Sequence, residues 1–209
     1  MKKILYCVRH GQSLDEQNSW FTGFTDTSLT PRGLNEMHHV GTRFHVTPVD
    51  VIYASVQNRA LQSAEILQRY LHCDIHALRE LTEWNREGIL SGLTYSQVAR
   101  LYPEELRNLT YFRSHALYGE SYNDFLARVL SVFEVILQSS YRRIMIVTHG
   151  NVIGIWLREV YRIIPYTFHL AYPDHIVAVR LNHKHKIESL QSAFLHHNLY
   201  ASKALGKNS

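Results

Sequence analysis

The chain of 209 residues carries only two cysteines, Cys7 and Cys73, too few for a disulfide framework, and Cys7 falls inside an apolar run. That scarcity points to a reducing compartment rather than a secreted, cross-linked fold. A secretory signal is missing too: the start "MKKILYC" is cut by Arg9 and His10 before a hydrophobic segment of signal length develops. No apolar run approaches the roughly 20 residues that cross a bilayer. The expectation is a cytoplasmic protein with no membrane partner. Basic residues are scattered, without a block of five or more, and no nucleic-acid-binding motif accompanies the net charge of +4. Nucleic acid is therefore not an expected partner, although a basic excess suits a small anion. Internal repeats and low-complexity tracts are absent as well.

What the chain does have is material for a core: 45% hydrophobic residues, with 13 Tyr, 8 Phe and 3 Trp. Domains commonly run from about 50 to about 250 residues, so residues 1–209 read as a single domain. Short, β-branched-rich runs at Ile4–Val8, Val49–Ala54, Ile144–Val147 and Ile176–Leu181 read as strands covered on both faces. Helical patterns lie between them. "TPRGLNEMHHVGTRF" opens with Thr30 as N-cap and Pro31 at the first helical position. "QNRALQSAEILQRYL" puts Ala60, Ala64, Leu67 and Leu71 on one face, and "SYNDFLARVLSVFEVIL" does the same with Phe125, Val129, Phe133 and Ile136. One further helix is expected over about Thr94 to Leu109 and another after Asn151. From about His183 the periodicity fades, as in a final edge strand and an irregular tail. Strands alternating with helices imply an α/β fold, a three-layer αβα sandwich around a mainly parallel central sheet.

In such sheets ligands sit beyond the carboxyl ends of the strands. Arg9-His10-Gly11 follows the first strand, Ser55 through Arg59 the second, and Thr148-His149-Gly150-Asn151 the run ending at Val147. A lone histidine or arginine at such a place is ordinarily just solvated, but here several converge on one edge. Two arginine forks, Arg9 and Arg59, suit the oxygens of a phosphoryl group. Helix starts after Gly11 and Gly150 could add backbone donors. A neutral imidazole can attack phosphorus, provided a carboxylic acid protonates the leaving oxygen. "LRELTEWNREGILSGLTY" offers Glu80, Glu83 and Glu87 for that task. The 14 histidines include His38-His39, His183-X-His185 and His196-His197, but no cysteine or carboxylate completes a ligand set around them. Adjacent histidines on a helix also point about 100° apart, so no metal is expected.

These motifs resemble the histidine phosphatase superfamily, also called phosphoglycerate mutase-like. Arg9-His10-Gly11 is similar to its RHG signature, "ASVQNRALQSAE" to its second arginine segment and "THGNVI" to its second histidine motif. "GESYNDFLARV" resembles the lead into its long helix, so the likeness spans residues 3 to about 182. The resemblance implies that His10 is the nucleophile that becomes phosphohistidine, and that Arg9, Arg59 and His149 clamp the transferred oxygens without metal or cofactor. It favours Glu83 as the acid, one inserted residue away from register with Gly88-Ile-Leu-Ser-Gly92, over Glu80, which needs four. Gly11, Gln12, Ser13, Thr22, Gly23, Gly150 and Asn151 are implied substrate contacts.

"FTGFTDTSLTPRG" is close to the stretch found in cofactor-dependent phosphoglycerate mutases, but other positions depart from them. Glu16 replaces an asparagine, Glu87 a tyrosine and Tyr95 a lysine, and only about 27 residues separate Gly92 from Gly119. A phosphatase of a small phosphomonoester is the favoured reading. A phosphoglycerate mutase is the alternative, and a non-enzymatic phospholigand-binding module the third. The partner expected is a small phosphorylated substrate, with a homodimer left open beside a monomer.

Overall fold

In the computed structural model, which describes residues 2–23, 25–44, 46–162 and 176–192, the apolar runs pair into one sheet. Its strands are β1 (Lys3–Arg9), β2 (Val51–Ser55), β3 (Ile75–Leu78), β4 (Arg143–Thr148), β5 (Ile176–Leu181) and β6 (Ile187–Ser192), in the order β3-β2-β4-β1-β5-β6. The four strands from β3 to β1 run parallel, while β5 and β6 close one side antiparallel. The period-2 alternation of side chains divides the core. Leu5 and Cys7 of β1, with Ile144 and Ile146 of β4, face one side; Val8, Met145 and Val147 face the other.

Helices α2 (Pro31–Phe44) and α3 (Asn58–Leu71) cover the second side with Met37, Val40, Ala64 and Leu67. Helices α6 (Tyr122–Gln138) and α7 (Gly150–Tyr161) cover the first with Phe125, Val129, Phe133 and Trp156, the last two rings stacked with centroids 4.2 Å apart. The expected three layers are therefore present. Thr30 caps α2 as anticipated, its hydroxyl accepting the Gly33 N–H at 3.0 Å.

The elements differ from expectation in three places. The helix expected over about Thr94 to Leu109 is two, α4 (Tyr95–Leu101) and α5 (Pro103–Asn108), because Pro103 lacks an N–H and forces Tyr102 out of helical geometry (φ −136°, ψ 53°). Strand β3 is an edge strand whose His76 and Ala77 are exposed, so no apolar run announces it. The loop after His10 contains a single helical turn, α1 (Leu14–Gln17). The edge strand anticipated beyond His183 is β6; the tail beyond residue 192 lies outside the described residues.

Candidate active site

Strand pairing brings the two histidines together. Arg9 of β1 lies opposite Thr148 of β4, and the pairing continues one step past the strand through a His10 N–H to Thr148 O bond of 3.0 Å. His10 and His149 therefore leave neighbouring strands at the same level, with ring centroids 5.0 Å apart and planes at 61°. Both are buried. His10 Nδ1 lies 2.8 Å from the Gly11 carbonyl, which can only accept, so Nδ1 carries the proton. The Nε2 lone pair is left to accept from Arg59 Nε at 3.3 Å. That is the tautomer a nucleophile needs.

Arg59 stands in the first turn of α3, whose start is held by Asp26 accepting the Asn58 N–H at 2.6 Å. Its side chain is 2% exposed, donates to Thr25 O at 2.8 Å and lies 3.9 Å from the buried carboxylate of Asp15. Burial pushes the Asp15 carboxyl upward, but hydrogen bonds from Ser13 and Thr25 and the Arg59 charge outweigh it and hold the group below its usual range. Asp15 is thus the buried counter-charge to Arg59. Sequence reasoning missed it, and its only signal was a carboxylate close behind Arg9-His10-Gly11.

His149 sits immediately before α7. Ser55 Oγ accepts the Gln57 N–H at 3.3 Å and shares a hydrogen bond of 2.9 Å with His149 Nε2. His149 Nδ1 is buried without a hydrogen-bond partner among the described residues. Burial, together with Arg59, His10, Arg9 and Arg128, holds this imidazole well below its usual 6.5, so it is neutral. Arg9 completes the cationic wall and pairs with Glu16.

Position separates the candidate acids. Glu83 follows a 3-10 turn (Arg79–Leu81) and is pinned on both sides. Its N–H donates to Gln57 Oε1 at 2.8 Å, and its carboxylate accepts the Trp84 N–H at 2.8 Å and the Asn151 N–H. Trp84 is buried flat against Phe125, with ring centroids 5.1 Å apart. Arg128 on α6 holds the same segment, donating to the carbonyls of Glu80 (2.8 Å), Thr82 (2.9 Å) and Glu83 (3.4 Å) while clamping Glu120 through two further bonds. Burial raises the Glu83 carboxyl above its usual range despite the Trp84 and Asn151 N–H groups and the nearby charges of Arg59 and Arg9. Glu80, by contrast, is exposed on the rim. Glu87, pushed up to about 7 by burial and by the Glu83 charge, accepts the Gly23 N–H.

The implied substrate contacts are distributed unevenly. Gly11 donates its N–H to Ser63 Oγ at 3.2 Å, and a side chain there would meet Gly33 O at 2.4 Å, so its smallness serves the packing of the loop on α2. Gln12 donates its N–H to Glu36 Oε2 at 2.8 Å, and Ser13 turns its hydroxyl inward to Asp15. The helix start expected after Gly11 is the one-turn α1 beginning at Leu14, whose Leu14 and Asp15 N–H groups donate to Ser28 O and Thr27 Oγ1. The start of α7 is formed, but the Asn151 N–H serves Glu83, while Gly150 lies beside Arg9. Thr22 closes a turn through its carbonyl, accepting the Thr25 N–H at 2.8 Å. Gly23 and Glu83 line a cavity of about 520 Å³ running outward past Glu80.

Of the histidine pairs, His38 bonds Tyr70 at 3.0 Å through Nδ1, and His196-His197 lies outside the described residues. Among the described residues no three His, Cys, Asp or Glu side chains converge as a metal site. No described helix is long and apolar enough to cross a membrane.

Known proteins share this fold. The chain is 28% identical over 169 residues to a 2,3-bisphosphoglycerate-dependent phosphoglycerate mutase of Cytophaga hutchinsonii, covering 78% of this chain and 79% of that protein. It superposes on the α-ribazole phosphatase of Shigella flexneri with a TM-score of 0.76 at 22% identity, covering 87% and 92% of the two chains. A mycobacterial glucosyl-3-phosphoglycerate phosphatase gives 0.73 at 19% identity, covering 91% and 97%. Paired histidines at adjacent strand ends, flanked by arginines, fall within a match of residues 5–191 to one family description, and the chain belongs to the histidine phosphatase superfamily, branch 1.

Proposed function

We propose that the chain hydrolyses a small phosphomonoester through a phosphohistidine on His10. The observation that carries this reading is the tautomer lock: Nδ1 is tied to Gly11 O at 2.8 Å, and Nε2 presents its lone pair beside Arg59. In the first step that lone pair attacks phosphorus and the bond to the ester oxygen breaks. Glu83, whose carboxyl burial raises above its usual range, gives a proton to the departing alkoxide. In the second step water attacks the phosphohistidine, Glu83 takes back a proton, and phosphate leaves with His10 restored. Arg9 and Arg59 balance the charge on the transferred oxygens, and an N–H at His149 Nδ1 would gain the partner it lacks among the described residues.

A mutase is the second reading, favoured by the likeness to the Cytophaga enzyme. Against it stand two carboxylates where a bisphosphorylated intermediate needs neutral or cationic groups: Glu16, paired with Arg9, and Glu87, beside Gly23 and Glu83. A reducing, cytoplasmic setting is proposed with it, in keeping with the free thiols of Cys7 and Cys73. The partner proposed is the small phosphorylated substrate, with no metal, nucleic acid or membrane in the reaction.

The test is a pre-steady-state reaction quenched in alkali. Retained phosphate that is lost in acid, and lost in His10→Ala, is the expected result. Phosphate on serine, or turnover strictly dependent on bisphosphoglycerate, would overturn the reading.

A further inference from the structure

The cavity beyond Glu83 is larger than the leaving group of a phosphoglycerate, and four of its lining residues are acidic. Its volume of about 520 Å³ lies in the range of pockets that enclose whole small molecules, whereas glycerate has three carbons. The walls carry the carboxylates of Asp26, Glu80, Glu83 and Glu120 against the cations of Arg79 and Arg128. Arg128 and Glu120 cancel one another in a two-pronged pair, with bonds of 2.8 and 2.7 Å. Asp26 takes its hydrogen bonds from the neutral Asn58, at 2.6 and 3.1 Å. Arg79 is exposed and adjoins Glu80 at the mouth. The walls therefore carry more carboxylates than cations, with the neutral Gln57, Thr82, Asn85 and Tyr118 beside them, and carboxylate oxygens suit pairs of hydroxyl donors.

Resting on the phosphatase reading, we infer that the pocket beyond Glu83 takes a neutral, polyhydroxylated leaving group, the sugar or polyol half of a phosphomonoester, and rejects one bearing a carboxylate or second phosphate. Glu80 is the specificity-determining residue open to a clean test. Its side chain is exposed and lines the cavity, and only its main-chain carbonyl is recruited by Arg128.

Glycerol 3-phosphate and 3-phosphoglycerate differ by one hydroxymethyl against one carboxylate, and ribose 5-phosphate fills more of the cavity. The values of kcat/KM for these three, with p-nitrophenyl phosphate as a probe carrying neither feature, form the assay. Glycerol 3-phosphate should exceed 3-phosphoglycerate by about tenfold or more, and ribose 5-phosphate should exceed both. Glu80→Gln should narrow the first ratio by about threefold to tenfold, and Glu80→Lys should narrow it further. Hydrolysis of p-nitrophenyl phosphate accompanied by equal or better use of 3-phosphoglycerate overturns this inference alone, as does a ratio unmoved by either substitution. Failure to release phosphate from all four compounds overturns the phosphatase reading and this inference with it.

Discussion

Replacing Arg128 tests whether the acid depends on the frame that holds it. The guanidinium makes two bonds to Glu120 and three to the carbonyls of Glu80, Thr82 and Glu83, five in all. Its side chain is 21% exposed and that of Glu120 20%, so solvent screens the pair only in part. Breaking a fully buried ion pair costs about 3–5 kcal/mol, and partial exposure lowers that to roughly 2 kcal/mol here. Carbonyls left to weak hydration add about 1 kcal/mol. In a protein of this size a loss near 3 kcal/mol lowers Tm by roughly 6–12 °C. Stability alone would not distinguish a positioning role. A general acid is worth about 10²–10⁴ in rate, so a loosened Glu83 should lower kcat for an alkyl phosphate by about tenfold to a hundredfold. p-Nitrophenyl phosphate, whose leaving group needs no proton, should lose much less. Arg128→Met should show both effects. Combining it with Glu120→Gln, which removes the stranded charge, should restore much of the Tm without restoring the alkyl rate. A falling Tm with an unchanged ratio between the two substrates would refute the reasoning.

The remaining predictions use titration and exposure. Glu83 acts as an acid with a raised pKa, so kcat for alkyl esters should decline as pH climbs through that value, and the residual rate of Glu83→Gln should lack this basic limb in a pH–rate profile. His149 is held neutral well below its usual 6.5, so the unfolded chain binds the extra proton in acid and stability falls as pH drops below that value. Urea titrations should show a slope approaching about 1.4 kcal/mol per pH unit from this group, reduced in His149→Gln. The Cys7 thiol, fully buried and pushed up to about 12, should resist a thiol reagent in the native protein, and only unfolding should raise the modified count to two. Rapid native labelling of Cys7 would contradict its burial.

Residues on regular elements were the legible ones. The strands carrying Arg9, His10 and His149 are short apolar runs buried on both faces, and the residues just past such strands land at one sheet edge whatever the loops do. Arg59 was legible for a similar reason, because its helix packs by periodic alanines and leucines. The acid was legible only as a choice among glutamates. What separates Glu83 from Glu80 is tertiary: Gln57, Trp84, Asn151 and Arg128 meet there from distant parts of the chain. Asp15 stayed hidden because its role exists only once Arg59 is brought 3.9 Å away. Gly11 was legible only as an implied substrate contact; that its absent side chain makes room for Gly33 emerges only in the fold.

The level placement of His10 and His149 has an engineering consequence. Adjacent strands lie about 4.8 Å apart, a spacing fixed by backbone hydrogen bonds. The 5.0 Å between the two rings is nearly that lattice constant, so the reactive pair inherits its separation from the sheet. Segments that wall the cavity beyond Glu83, such as those holding Asn85 and Tyr118, are not part of this ladder. They could be exchanged for other sequences, giving new selectivities, while the separation of His10 and His149 stays the same.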